Sequence, residues 1–154
     1  MLGWVKSWNK IIREVIFKDE DLRFLMRLPA RTHITKFIDQ YFVQAGFTNK
    51  LLTNETVRIV YSDTQVGNTD VPNIKKDIMT FDIYVKQENM YDVGDDRLIA
   101  RTYLIADRLE KILTKSRYIN DTGYRFWPAG SWDQGTRTTG YSRYTISFYF
   151  MKVY

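Results

Sequence analysis

From Met79 to Lys86 the side chains alternate strictly: Met79, Phe81, Ile83 and Val85 are apolar, and Thr80, Asp82, Tyr84 and Lys86 between them carry polar groups. A period of two belongs to an extended strand with one dry and one wet face, the pattern of an antiparallel sheet that covers a core on one side only. A strand is therefore predicted over Ile78 to Gln87, and it needs partners. The following residues supply them in order: an acidic turn (Tyr91-Asp-Val-Gly-Asp-Asp96), a two-faced helix from about Asp95 to Lys115, and an aromatic hairpin whose arms are Gly123 to Trp132 and Gly140 to Phe150.

At 100° per residue, Leu98, Thr102, Ile105, Leu109, Ile112 and Leu113 form one apolar stripe of the long helix. Arg97, Arg101, Arg108, Lys111 and Lys115 gather on another side, which reads either as a solvated face or as a basic stripe toward phosphate or an acidic partner. Asp107 and Lys111 have the spacing of an i, i+4 ion pair. Asp92, Asp95 and Asp96 lack the full spacing of a calcium loop and its terminal Glu, and carboxylates there suit the N-terminus of the helix they precede.

Upstream, Trp4, Val5, Trp8, Ile11, Ile12, Val15 and Ile16 mark an amphipathic helix over residues 4 to 17. Such a helix covers a core, or lies on a membrane surface through Trp4, Trp8 and its basic side. Asp19 is the expected N-cap of a helix from Glu20 to Leu28, ended by Pro29. A third helix is expected from Thr35 to Ala45, stopped by Gly46. Val57 to Ser62 reads as a strand. Residues 63–76 and 128–140, rich in turn formers, read as loops, and the second holds Trp132 and Arg137, residue types that often anchor interfaces. The final strand puts Tyr144, Ile146, Phe148 and Phe150 on one face and Thr145, Ser147, Tyr149 and Met151 on the other. That second face is less polar than a solvated sheet requires, so either helices cover both faces or a second subunit does. The reading is one α+β domain spanning 1–154, a small antiparallel sheet of about four strands flanked by the long helix, with a helical part over 1–46 and a sheet-plus-helix part over 55–154.

Composition narrows the chemistry. The 154 residues contain no cysteine and one histidine, His33. Disulfides, thiol catalysis and Cys-based zinc sites are excluded, and multi-His metal sites with them. There is no Gly-rich phosphate loop and no G-x-S-x-G, and the carboxylates Asp82, Glu88 and Asp92 are not singled out as an acid–base pair. No catalytic, cofactor or metal residue is nominated. The net charge of +5 permits contact with nucleic acid without demanding it. The first residues carry dispersed charges unlike a signal peptide, and no run reaches the roughly 20 apolar residues that span a bilayer. Eleven Tyr and four Trp are many for this length, and suit either a Tyr-rich sheet or an interface.

Taken in order, Phe81-Asp-Ile-Tyr-Val-Lys86 before the acidic turn, Asp96-Arg-Leu-Ile-Ala-Arg-Thr102 opening the long helix, Gly123-Tyr-Arg-Phe126 and Gly140-Tyr-Ser-Arg-Tyr-Thr-Ile-Ser-Phe148 resemble the tail-terminator and tail-to-head joining (neck) proteins of tailed bacteriophages. Asp21-Leu-Arg-Phe-Leu-Met-Arg-Leu-Pro29 resembles the short helix near their start. The resemblance implies a homo-oligomeric ring, commonly a hexamer, that caps the tail tube protein and meets the head connector or completion protein. It implies no enzyme activity and no cofactor. DNA passes the lumen without sequence-specific binding, no membrane is involved, and the protein resides in the virion tail or neck after assembly in the host cytoplasm. A head-completion or adaptor role is the neighbouring expectation, and a basic nucleic-acid-binding module is the alternative from another class. The partner-contact candidates are Trp132, Arg137, Tyr141, Tyr149, Met151 and Tyr84.

Overall fold

The computed structural model describes residues 2–46, 55–68, 75–93, 99–115, 124–138 and 140–152. Its strands are β1 (Phe42–Gln44), β2 (Val57–Asn68), β3 (Lys75–Lys86), β4 (Tyr124–Thr138) and β5 (Tyr141–Lys152), and its helices are α1 (Leu2–Ile11), α2 (Glu20–Leu25), α3 (Ile34–Lys36) and α4 (Arg101–Lys115). The α+β class is the expected one. The sheet is five-stranded, in the order β1-β2-β3-β5-β4, and mixed, because β1 runs parallel to β2.

The additional strand comes from the expected third helix. α3 widens into a π turn over Phe37–Tyr41 and stops, and Phe42–Gln44 is extended. Phe42 pairs with Ile59 and its ring stacks on Phe37 with centroids 5.7 Å apart, so tertiary packing overrides a helical period here. Gly46, at φ 84°, follows that strand and does not end a helix. The exposed His33 caps α3, its Nδ1 accepting from the Thr35 amide at 3.2 Å.

The expected loop over 63–76 is largely a hairpin arm: β2 continues through Asn68, β3 starts at Lys75, and Asp63 faces Met79 across the ladder. Residues 69–74 lie outside the described residues.

The hydrophobic core lies on one side of the sheet. Met79, Phe81, Ile83 and Val85 are buried, as the alternation requires, with Phe148 and Phe150 beside them on β5. α1 contributes Trp8, whose ring lies 5.5 Å from Tyr61, 6.1 Å from Phe81 and 6.3 Å from Phe126, centroid to centroid. Trp8 is thus a core residue and is not available to a membrane surface; the side chain of Trp4 lies outside the described residues. Ile11, Ile12 and Ile16 are buried along the same side, the latter two within a π turn that continues α1, whereas Val5 is exposed.

α4 packs Thr102, Ile105, Leu109, Ile112 and Leu113 into this core, the stripe read from the sequence. It begins at Arg101 instead of about Asp95, with Ile99 and Ala100 non-helical; residues 94–98, and so Arg97, Leu98, Asp95 and Asp96, lie outside the described residues. Asp19 is the N-cap of α2, accepting from the Leu22 amide at 2.8 Å. α2 closes with Arg27 in the left-handed region at φ 53°, where the Leu28 amide donates back to Arg23 O at 3.1 Å.

Candidate assembly surface

Strand pairing determines which side chains share the opposite, outer face of the sheet. From β2 through β3 and β5 to β4 its rows read Arg58–Tyr84–Arg143–Gly135, Val60–Asp82–Thr145–Trp132 and Ser62–Thr80–Ser147–Gly130, and beyond them Ile78–Tyr149–Trp127 on β3, β5 and β4. The hydrophobic core draws its strand residues from the inner face alone. Among the described residues, the helices pack on the inner side; on the outer face Val43, Arg58, Tyr141, Thr145 and Ser147 are nonetheless buried, and the large exposed side chains lie along β4.

The centre of the outer face is polar and internally bonded. Thr145 Oγ1 donates to Asp82 Oδ1 at 2.6 Å and accepts from Gln134 Nε2 at 3.0 Å. Thr80 and Ser147 share a hydrogen bond at 3.0 Å. Arg143 pairs with the second Asp82 oxygen at 3.1 Å and lies over the Tyr84 ring, 5.6 Å from its centroid. Burial holds the Tyr84 hydroxyl above its ordinary pKa, with Arg143 opposing and Asp82 adding. These bonds tie β3 to β5 and stiffen the middle of the sheet, although Arg143 Nε is buried without a hydrogen-bond partner among the described residues.

The β4 side of the face is different. Trp127 and Trp132 are 41% and 50% exposed, and Tyr149 is half-buried beside Trp127. Five residues apart on a regular strand, the two indoles would point to opposite faces. The register shifts between Pro128 and Gly130, so that one extra residue is inserted and both Trp side chains emerge on the outer face with Gly130 between them. The sequence singles out Trp132 as a member of the expected loop 128–140, whereas Trp127 falls just before that loop, in the expected hairpin arm, and is not selected. The residues that made that stretch look irregular, Pro128, Gly130 and Gly135, instead accompany bulges in a paired edge strand, and Gly135 adopts φ 64° at one of them. Pro and bulges on an edge strand also discourage indiscriminate strand addition, which directs any contact at β4 to its side chains.

The sequence candidates separate accordingly. Tyr84, Tyr149, Met151 and Trp132 lie on the outer face. Tyr141 is in the same strand but is buried, and its hydroxyl donates to Glu55 O at 2.9 Å, so it ties the strand to the segment before β2 instead of facing outward. The backbone of Arg137 is in β4; its side chain lies outside the described residues.

The basic stripe does not form as expected. Arg101 is only 3% exposed: its Nε donates to Asn89 O at 2.9 Å, Nη1 to Leu25 O, and Nη2 to Asp92 Oδ1 at 2.6 Å. Arg108 is held by Asp19 and, at 3.5 Å, by Asp21. Lys111 pairs with Asp107 at 2.9 Å, the predicted i, i+4 contact, and Lys115 is exposed at the last turn. Two of the stripe's arginines are thus internal ties that fasten α4 to α2 and to the turn before it. Asp92 has the corresponding role: it receives Arg101, Asn89 and Arg27 side chains and does not cap the helix. Among the described residues no group of three or more His, Asp or Glu is arranged to hold a metal ion, and no helix is long and apolar enough to cross a membrane.

No curated protein matches this chain. Residues 9–150 match the YomW family, a span that runs from the end of α1 through α2, α3, α4 and the sheet and includes both Trp-bearing positions of β4. The chain therefore belongs to the YomW family, whose name is that of a phage-derived, SPbeta-type protein, and it is a phage-associated protein.

Proposed function

We propose that this protein is a non-catalytic, structural component of the phage particle: a ring-forming tail terminator or tail-to-head joining protein at the end of the tail tube, assembled in the host cytoplasm and retained in the virion neck. The observation that carries this reading is the pair of exposed indoles, Trp127 and Trp132, at the β4 edge of a sheet face on which no helix packs among the described residues. Burying the exposed half of two Trp side chains removes on the order of 200 Å² from water, about 5 kcal/mol at ~25 cal/mol per Å². That is enough to matter in a subunit contact and is wasted in a monomer. Trp is also the residue type most often found as an interface anchor, and half-buried Tyr149, Met151 and Tyr84 extend the same face. The phage-derived name of the family and the resemblance of the strand, helix and hairpin motifs to those of neck proteins support the same reading. The nucleic-acid alternative loses its main support with Arg101 and Arg108 engaged internally.

The test is the double variant Trp127→Ser, Trp132→Ser. Because both side chains are largely outside the core, its unfolding temperature stays close to that of the parent while self-assembly, or capping of tail tubes, is lost. Assembly that persists in a well-folded double variant contradicts the reading.

A further inference from the structure

α4 and the edge strand β4 do not close on one another. Between them runs a groove of about 260 Å³, floored by Tyr144 and Ile146 and walled by Pro128 on the strand and by Tyr103, Asp107 and Glu110 on the helix. This volume is below the ~300–1,000 Å³ of small-molecule sites and suits one or two side chains from a macromolecule. Tyr103 is exposed at its mouth, resting edge-on against Tyr144 with centroids 4.8 Å apart and its hydroxyl directed to Asp133 at 3.5 Å. The rim is therefore acidic around an aromatic floor: among the described residues it carries Asp107, Glu110 and Asp133, with Lys111 paired to Asp107.

A surface of the opposite kind exists on this same chain. Lys6, Lys10 and Arg13 are exposed at i, i+4 and i+7, one side of α1 and its π continuation, with Val5 exposed beside them and the single acid Glu14 at the far end, leaving this side with a net positive charge. None of the three takes part in a described ion pair, in contrast to Arg101, Arg108 and Lys111. α1 is fixed by Trp8 against β1, β2 and β3, so this basic side is presented on a rigid element.

We infer that the acidic groove between α4 and β4 receives the basic side of α1 from a second copy of this chain. The contact joins two different surfaces of the protomer, so it is heterologous and propagates head to tail until a ring closes. It rests on the assembly reading above and deepens it by separating two jobs: the groove and α1 bind neighbours to one another, and the Trp127/Trp132 face remains for a different contact.

Charge reversal on both sides tests it. Lys6→Glu with Lys10→Glu is expected to weaken self-association about tenfold or more per reversed charge, as is Glu110→Lys. The combined variant recovers most of the parent's affinity. Asp107 is left intact because Lys111 depends on it. In a mixture of isotopically light and heavy protein, a zero-length carboxyl–amine cross-linker joins Lys6 or Lys10 of one copy to Glu110 of the other. Association also falls as salt rises, since the screening length shortens from about 10 Å at 0.1 M to about 3 Å at 1 M. Failure of the combined variant to recover, or rings that form unchanged in both separate variants, overturns the contact while leaving the assembly reading in place. Reversals that abolish DNA binding or capture of tube protein but not self-association overturn it too, by assigning α1 to another occupant. A parent protein that never self-associates, alone or on tail tubes, overturns both readings.

Discussion

Replacing Arg101 by Met measures what that guanidinium does. Its two bonds to backbone carbonyls, Asn89 O and Leu25 O, join the turn before α4 to the end of α2. Met fills most of the volume and keeps water out, so both carbonyls lose a charged donor and gain nothing. Charged hydrogen bonds are worth about 1.5–3 kcal/mol each, giving roughly 3–6 kcal/mol gross. The extra apolar burial of Met offsets part of this, and Asp92 adds little because it is 40% exposed and keeps Asn89 and Arg27 as partners. The expected net loss is about 3 kcal/mol, or roughly 6–12 °C in unfolding temperature for a chain of this size. Thermal unfolding followed by circular dichroism reads it directly, with Lys111→Met as the control. Lys111 and Asp107 form an exposed pair worth no more than about 0.5 kcal/mol, so that variant moves by less than about 2 °C. An Arg101→Met protein that unfolds within about 2 °C of the parent refutes the internal-tie reasoning and returns Arg101 to the partner-binding stripe.

Asp19 combines two roles, and two substitutions separate them. Asp19→Ala removes both the α2 cap and the Arg108 partner and costs about 2 kcal/mol, whereas Asp19→Asn keeps a cap acceptor and costs about half that, both read by urea unfolding. The hydrogen bond from Arg101, then that from Asn89, holds the Asp92 carboxyl below its usual value of 3.8, so its contribution is present above about pH 4 and is lost as pH falls through the lower folded value. Unfolding temperature therefore declines on acidification below pH 4, and less steeply in Asp92→Asn. Tyr141→Phe deletes one hydroxyl bond to Glu55 O; it lowers stability by about 1 kcal/mol and leaves assembly unchanged, and lost assembly with unchanged stability contradicts its placement.

What the sequence revealed and what it hid follow from the range of the forces involved. The β3 alternation, the α4 stripe from Thr102 to Leu113 and the Asp19 cap were legible, because each is a local period or a local hydrogen bond. Phe42–Gln44 read as the end of a helix and is a strand, since its conformation is decided by Ile59 and Val60 across the sheet. The stretches 63–68 and 128–138 read as loops because turn-forming residues outweigh any period; their strand geometry comes from the ladder and, in β4, from bulges that such residues permit. The outer face was legible on β5, through Tyr149 and Met151, but not on β4. A one-residue bulge moves Trp132 onto the side of Trp127, and no count along the chain reveals it. Charge was the least legible feature. Arg101 and Arg108 sit where a helical wheel shows a basic side, and only the long-range positions of Leu25, Asp19 and Asp92 show that they are engaged inside the molecule.

The measurement closest to the central claim is the mass of the purified protein by light scattering, over a range of concentrations and again with the tail tube protein added. The account predicts a discrete closed ring, formed alone or on the tube. A monomer at every concentration that is indifferent to tube protein contradicts it.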